Sequence, residues 1–213
     1  MPKMELILIR HGETDWNRER FFRGREDVAL NATGITMADL TAEALKDKVF
    51  EAIYSSPLKR ALVTAKRVAM PHQIDVRVKW DLIDIDYGVW TGLKEEAVKE
   101  RWGKDFERWA NNPARMRFLH GESVRKTWKR VNSALRELIF LHGTGVVVVV
   151  SHRIPIKMMT AYLLGQKARD IVDIRHDPCA ISVFEVDGRK AEPVVLNDSR
   201  HLEKLDLGEA QDF

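Results

Sequence analysis

Arg10-His11-Gly12-Glu13-Thr14 follows the apolar run Leu6-Ile7-Leu8-Ile9, so a basic, glycine-hinged tip closes a segment that reads as a buried strand. Phosphate chemistry fits such a tip. An imidazole can attack a phosphoryl group, a glycine lets backbone approach a phosphate closely, and an arginine supplies a forked permanent cation for its oxygens. A second β-branched run, Val146-Val147-Val148-Val149-Val150, also ends in a histidine, at Ser151-His152. Ligands of open parallel sheets bind at the carboxyl ends of the strands, so His11 and His152 are expected to meet over one crevice, although 141 positions separate them.

A third piece, Ser55-Ser56-Pro57-Leu58-Lys59-Arg60, follows the short strand Ala52-Ile53-Tyr54 and opens a helix. Ser56 suits its N-cap and Pro57 its first position. Leu58, Ala61, Leu62, Ala65, Val68 and Ala69 keep helical spacing, which puts Arg60 on the polar side of the first turn. There its charge adds to the helix amino-terminal dipole as an anion site; a solvated surface arginine is the competing reading.

Arg-His-Gly-Glu-Thr, Ser-Ser-Pro-Leu-x-Arg-Ala-x-x-Thr-Ala and strand-Ser-His, in this order, resemble the histidine phosphatase superfamily, also called the phosphoglycerate mutase-like family. The resemblance runs through Asn17, Phe22–Leu30, Thr33-Gly34, Tyr87–Gly92 and Gly121-Glu122-Ser123, nearly the whole chain. It implies that His11 is the nucleophile that becomes phosphorylated, while Arg10, Arg60 and His152 hold the phosphoryl oxygens. It also implies substrate contacts from Arg23 and Gly24, and from Asn17 unless that residue only shapes its turn. A neutral His11 and a cationic His152 would serve best, so their titrations are expected to be pushed apart.

A leaving alkoxide needs a proton, and relatives usually carry a glutamate for it four positions before the glycine of Tyr-Gly. Here that position is Asp84, one methylene shorter, with Asp81 and Asp86 as neighbouring alternatives. A second departure is Arg153, where relatives commonly have glycine after the histidine. Arg153 either binds a second acidic group on the substrate or points into water. Glu122 either tethers a loop or caps the next helix.

These residues need a sheet edge to hold them. The pattern predicts strands at 5–10, 51–55, 74–78, 145–151, 180–186 and 192–197, with helices at about 33–47, 57–69, 122–142 and 154–164 and helical pieces from 93 to 112. Such alternation indicates an α/β three-layer sandwich, with a mainly parallel central sheet flanked by helices, as the resemblance also implies. The chain, 213 residues with 45% apolar content, reads as a single domain over 1–213 with a short helical cap at about 93–120. Trp102, Phe106 and Trp109 share a helical face in that cap, and Trp90 reads as packing.

Composition narrows the function. A net charge of +3 from 35 basic and 32 acidic residues is no nucleic-acid stripe. The lone Cys179 excludes an intramolecular disulfide, the histidines lack metal-ligand spacing, and no cofactor is expected. Apolar runs are strand-sized and no leader is visible, so a cytoplasmic protein without membrane contact is expected; oligomeric state is left open. Only 32 residues lie between Gly88 and Gly121, too few for the insertion that screens a mutase phosphohistidine from water. The expected activity is that of a phosphoric monoester hydrolase, a metal-independent phosphomonoesterase acting on a small phosphorylated metabolite. Mutase-type phosphoryl transfer and a silent phosphate-binding module are the alternatives.

Overall fold

The two β-branched runs pair with each other. In the computed structural model, which describes residues 3–188 and 190–205, the strands are β1 (Met4–Arg10), β2 (Phe50–Ser55), β3 (Val76–Val78), β4 (Gly145–Ser151), β5 (Ile181–Asp187) and β6 (Lys190–Asp198). They form one sheet in the order β3-β2-β4-β1-β5-β6. The pairings β2–β3, β2–β4 and β1–β4 are parallel, and β5 and β6 extend the β1 edge as an antiparallel ribbon. In this register Arg10 lies opposite Ser151 and Ser55 opposite Val150, so three strands end at one level.

Alternate residues of β1 enter two different cores, as a strand buried on both faces requires. Leu6 and Leu8 pack with helices α4 (Glu95–Asn111), α5 (Val124–His142) and α6 (Arg153–Leu163), whereas Ile7 and Ile9 pack with α2 (Ala32–Leu45) and α3 (Lys59–Ala69). Each of these four side chains is fully buried and contributes roughly 2 kcal/mol from lost apolar surface. Helices thus flank a mainly parallel sheet, the expected three layers. Trp90 is packing, edge-on to Phe22 and Phe118. Cys179 is buried as well, and burial pushes its thiol up to about 12.

Several element ends differ from those the sequence pattern predicts. The helix expected at 57 starts at Lys59 with Leu58 as N-cap, because the Ser56 amide bonds the Val150 carbonyl (3.1 Å) and Pro57 favours extended backbone before it. Ser123, whose side chain accepts from the Lys126 amide, caps α5, so that helix starts at Val124 and Glu122 is not the cap. A short helix, α1 (Asp15–Arg18), carries no apolar period that would reveal it in the sequence. The aromatic face of α4 is interrupted at Trp102, whose φ −135° and ψ 42° are not helical.

One close approach joins the amino-terminal motif to α2. A Cβ on Gly34 would run into the Glu13 carbonyl, and one on Gly12 into the Gly34 carbonyl. We therefore expect Gly34→Ala to destabilise the fold by about 3 kcal/mol in urea denaturation, although alanine is the better helix former. Unchanged stability would show that this contact relaxes freely.

Candidate active site

The ends of β1, β4 and β2 deliver the chemistry. The His11 amide donates to the Ser151 carbonyl (2.9 Å), continuing the β1–β4 ladder one residue past the strand. This draws the two imidazoles together, with ring centroids 5.2 Å apart and planes at 58°. Thr64 on α3 accepts from the Gly12 amide (3.1 Å) and donates to the Arg60 carbonyl (2.8 Å), tying the first turn of α3 to the same tip. Arg10, His11, Arg60 and His152 therefore converge, all at 1% exposure or less.

Hydrogen bonds define both ring tautomers. The Gly12 carbonyl takes the His11 Nδ1 proton (2.6 Å), which leaves Nε2 with its lone pair. Arg60 Nε donates to His152 Nδ1 (3.2 Å), so the His152 proton sits on Nε2 and goes to Ser56 Oγ (2.6 Å). Burial, then the charges of Arg60, Arg10 and Arg23, hold the His11 imidazole well below its ordinary value. Burial and Arg60 do the same to His152, followed by His11 and the other arginines. Both titrations are thus pushed downward rather than in opposite directions; guanidiniums surround both rings, and both are neutral at pH 7.

Arg60 is not a surface residue. Its turn of α3 is covered by the segment around Gly24, so what would be the polar side of the helix faces the site. Nη2 donates to the Gly24 carbonyl (2.8 Å) and Nη1 to the Glu26 carbonyl (2.6 Å), leaving one further N–H on each terminal nitrogen. Burial lowers this guanidinium to about 10, so it remains a cation at neutral pH. Arg10 Nη1 donates to the His176 carbonyl (3.0 Å).

Asp84 is the aspartate beside the cluster, its Oδ2 3.5 Å from Arg60 Nη2 and its side chain 8% exposed. Burial raises its carboxyl above the ordinary value, against the pull of Arg60. Asp81 is exposed, and Asp86 accepts from the Gly88 amide (2.9 Å) and faces Arg25. Arg23 is buried and close enough to act on both histidines and on Asp84. Gly24 (φ 51°) gives its carbonyl to Arg60, and Asn17 Oδ1 accepts from the Thr14 amide (2.9 Å) and hydroxyl (2.8 Å) as a turn-former does. Arg153 is half-buried at the start of α6, where it lines a pocket with Trp109 and Lys157.

A clamp that composition does not reveal holds the Asp84 segment. Arg130 Nη1 donates to the carbonyls of Asp81 (2.7 Å) and Ile83 (2.9 Å), and Nη2 to that of Asp84 (3.3 Å) and to Glu122 (2.9 Å). Glu122 also pairs with Arg25 (3.0 Å) and accepts from the Asp86 amide (3.4 Å), which makes it a loop tether. Against the cost of burial, the Arg130 hydrogen bonds hold its carboxyl below the ordinary value. Sequence reasoning also misses Ser56, Thr64 and His176. Of these, only the serine and threonine stand inside a motif. Among the described residues, no three His, Cys, Asp or Glu side chains gather to hold a metal.

Two neutral imidazoles, buried guanidiniums and a carboxyl with raised affinity for its proton form a site suited to a tetrahedral oxyanion and to proton delivery. The family model of the histidine phosphatase superfamily (branch 1) matches residues 6–199. The chain belongs to this superfamily. It is 35% identical to phosphoserine phosphatase 1 of Hydrogenobacter thermophilus over 93% of this chain and 94% of that one. The YhfR structure from Bacillus stearothermophilus matches with a TM-score of 0.89 at 26% identity, covering 94% of this chain and 100% of that one. A variant of the Entamoeba histolytica phosphoserine phosphatase in complex with phosphoserine matches with a TM-score of 0.84 at 28% identity, over 93% and 99% of the two chains. Longer curated relatives match too, this chain spanning 37% to 50% of their length.

A cradle of this charge should bind inorganic phosphate in the folded state. Phosphate should raise the melting temperature, by about 2.7 kcal/mol of stability at a hundredfold excess over Kd. Arg10→Met should remove the effect. No rise beyond that of chloride at equal ionic strength would mean that the cluster does not take the anion.

Proposed function

We propose that the protein hydrolyses small phosphate monoesters in two steps through a phosphohistidine on His11. The observation that carries this reading is the meeting of His11, His152, Arg60 and Asp84 in one buried cluster. His11 Nε2 attacks phosphorus, and the bond to the ester oxygen breaks. The Asp84 carboxyl gives its proton to the departing alkoxide. Asp84, now a carboxylate, then takes a proton from water as the water oxygen attacks phosphorus. The P–N bond breaks, and His11 and inorganic phosphate are released.

Charge spreads over three equatorial oxygens in each transfer, so fixed donors aimed at them do most of the catalysis. Arg10, the remaining N–H groups of Arg60 and the Nε2–H of His152 are those donors. His152 acts neutral, donating to the phosphoryl group the proton now given to Ser56. Arg23 adds charge at the rim, Gly24 holds Arg60, and Asn17 orders the turn after the nucleophile. Guanidiniums supply the cationic charge, so the reaction needs no metal or cofactor.

On this reading the chain is one catalytic domain with residues 93–120 as a cap. Packing of Trp102, Phe106 and Trp109 into the same core as Leu6 and Leu8 supports it. Among the described residues, no helix is long and apolar enough to cross a membrane. A buried lone thiol and a metabolite substrate suit the cytoplasm.

A panel of phosphate esters assayed with and without chelator tests the activity; turnover of none, or turnover lost with chelator, would contradict it. The acid is tested by leaving group and pH. His11 stays neutral to well below pH 6.5, so any fall of kcat/KM toward acid should follow the second ionisation of the ester phosphate, at about pH 6, and kcat/KM should fall again as pH rises through the elevated Asp84 value. Asp84→Asn should remove that alkaline fall and lower kcat/KM by ~10²–10⁴ for alkyl phosphates. It should cost far less for p-nitrophenyl phosphate, whose leaving group needs no proton. Equal losses on both esters would refute the role of Asp84.

A further inference from the structure

No side chain of the antiparallel ribbon β5–β6 enters the chemistry above, yet the ribbon departs from regular pairing. As β5 runs from Ile181 to Val183, the facing strand runs from Asp198 to Val195, so β6 uses one residue more. Such a bulge re-aims a side chain. Asn197 lies in it at φ 53°, a left-handed conformation that non-glycine residues adopt at a cost and asparagine tolerates best. Its amide donates to Oγ of Ser182, across the bulge (2.9 Å).

The side chain so aimed brackets the turn before β5. Asn197 Oδ1 accepts from the Asp177 amide (2.7 Å), and Nδ2 donates to Asp177 Oδ2 (2.9 Å). Against the cost of burial, hydrogen bonds from Arg175 and Asn197 hold the Asp177 carboxyl below its ordinary value, so the bracket closes on a carboxylate at neutral pH. Ser182 adds a second tie, its Oγ sharing a hydrogen bond with His176 Nε2 (3.1 Å). Burial, followed by the Arg10 charge, lowers the His176 imidazole to about 3, so this ring is neutral.

This turn holds Arg10 at both ends. The Cys179 amide donates to the Arg10 carbonyl (3.0 Å), and Arg10 Nη1 donates to the His176 carbonyl (3.0 Å). That carbonyl and the Asp177 amide belong to one planar peptide, so Asn197, bound on the amide side, sets the direction of the carbonyl that meets the guanidinium. Cys179 is itself fully buried at φ 55°, a turn shape that only a surrounding frame maintains. Resting on the phosphatase reading, we infer that Asn197 is a positioning residue: through the peptide between His176 and Asp177 it fixes the aim of Arg10 at the phosphoryl oxygens.

A double-mutant cycle with Arg10 tests this, read in kcat/KM for p-nitrophenyl phosphate and in affinity for inorganic phosphate. Asn197→Gly keeps the left-handed backbone without strain and removes both side-chain bonds. It should lower kcat/KM by about tenfold to a hundredfold, as a misaimed donor does, and weaken phosphate binding. In the Arg10→Met background the same substitution should cost less than about twofold, whereas in Asp84→Asn it should cost as much as in the wild type. A merely structural asparagine would lower the melting temperature and leave the losses additive in every background. Full activity of folded Asn197→Gly, or an undiminished loss beside Arg10→Met, overturns the inference. Should Asn197→Gly not fold, the isosteric Asn197→Asp, which sets a second carboxylate against that of Asp177, goes through the same cycle with the same expectations. Hydrolysis of no ester sinks the phosphatase reading; the phosphate arm then decides the inference alone, and wild-type affinity in Asn197→Gly overturns it.

Discussion

Positive charge gathered in a buried cluster is the constraint on which this site depends. Arg10 and Arg60 are fully buried and Arg23 nearly so, with Asp84 as the carboxylate beside them. Withdrawing such cations from water costs several kcal/mol apiece unless hydrogen bonds meet them. Here backbone carbonyls do so: His176 for Arg10, Gly24 and Glu26 for Arg60. Carbonyl dipoles meet some of these donors and add no full negative charge of their own. In the proposed reaction, a phosphate dianion brings negative charge to these cations. Burial first, and then the same field, keeps both imidazoles neutral, which leaves His11 with a lone pair at neutral pH.

Holding like charges together requires a rigid frame, and the sheet provides it. Three parallel strands end at one level, and the His11 to Ser151 bond carries their ladder into the site. Arg130 and Glu122 fix the Asp84 segment, while Arg60 fixes the Gly24 segment that covers it. An acid that is one methylene shorter than the usual glutamate has less reach, so a pinned backbone matters more. The aromatic cluster around Phe22, Tyr87 and Trp90 supports both segments from behind.

Strands with apolar runs, and the two histidines at their ends, were legible because burial on both faces leaves an unmistakable composition. Helix α5 was legible because Val124, Val131, Leu135 and Leu138 repeat at helical spacing and are buried. Arg60 was only half legible. Its position in the first turn follows from periodicity, but its burial depends on the Gly24 segment, which is distant in sequence. The downward shift of His152 is not legible locally for a similar reason: it comes from burial, and then from charges on three other segments. Arg130 lies on an amphipathic helix where an arginine is ordinarily a solvated surface residue. Nothing local distinguishes one that binds three carbonyls.

The central claim is that His11 forms a covalent bond to phosphorus, and chemical trapping addresses it most directly. A quench-flow experiment with ester labelled in the phosphoryl group, followed by peptide mapping, should find label that is acid-labile, alkali-stable and confined to the peptide containing His11. Label absent throughout rapid turnover, or located on another residue, would contradict the account.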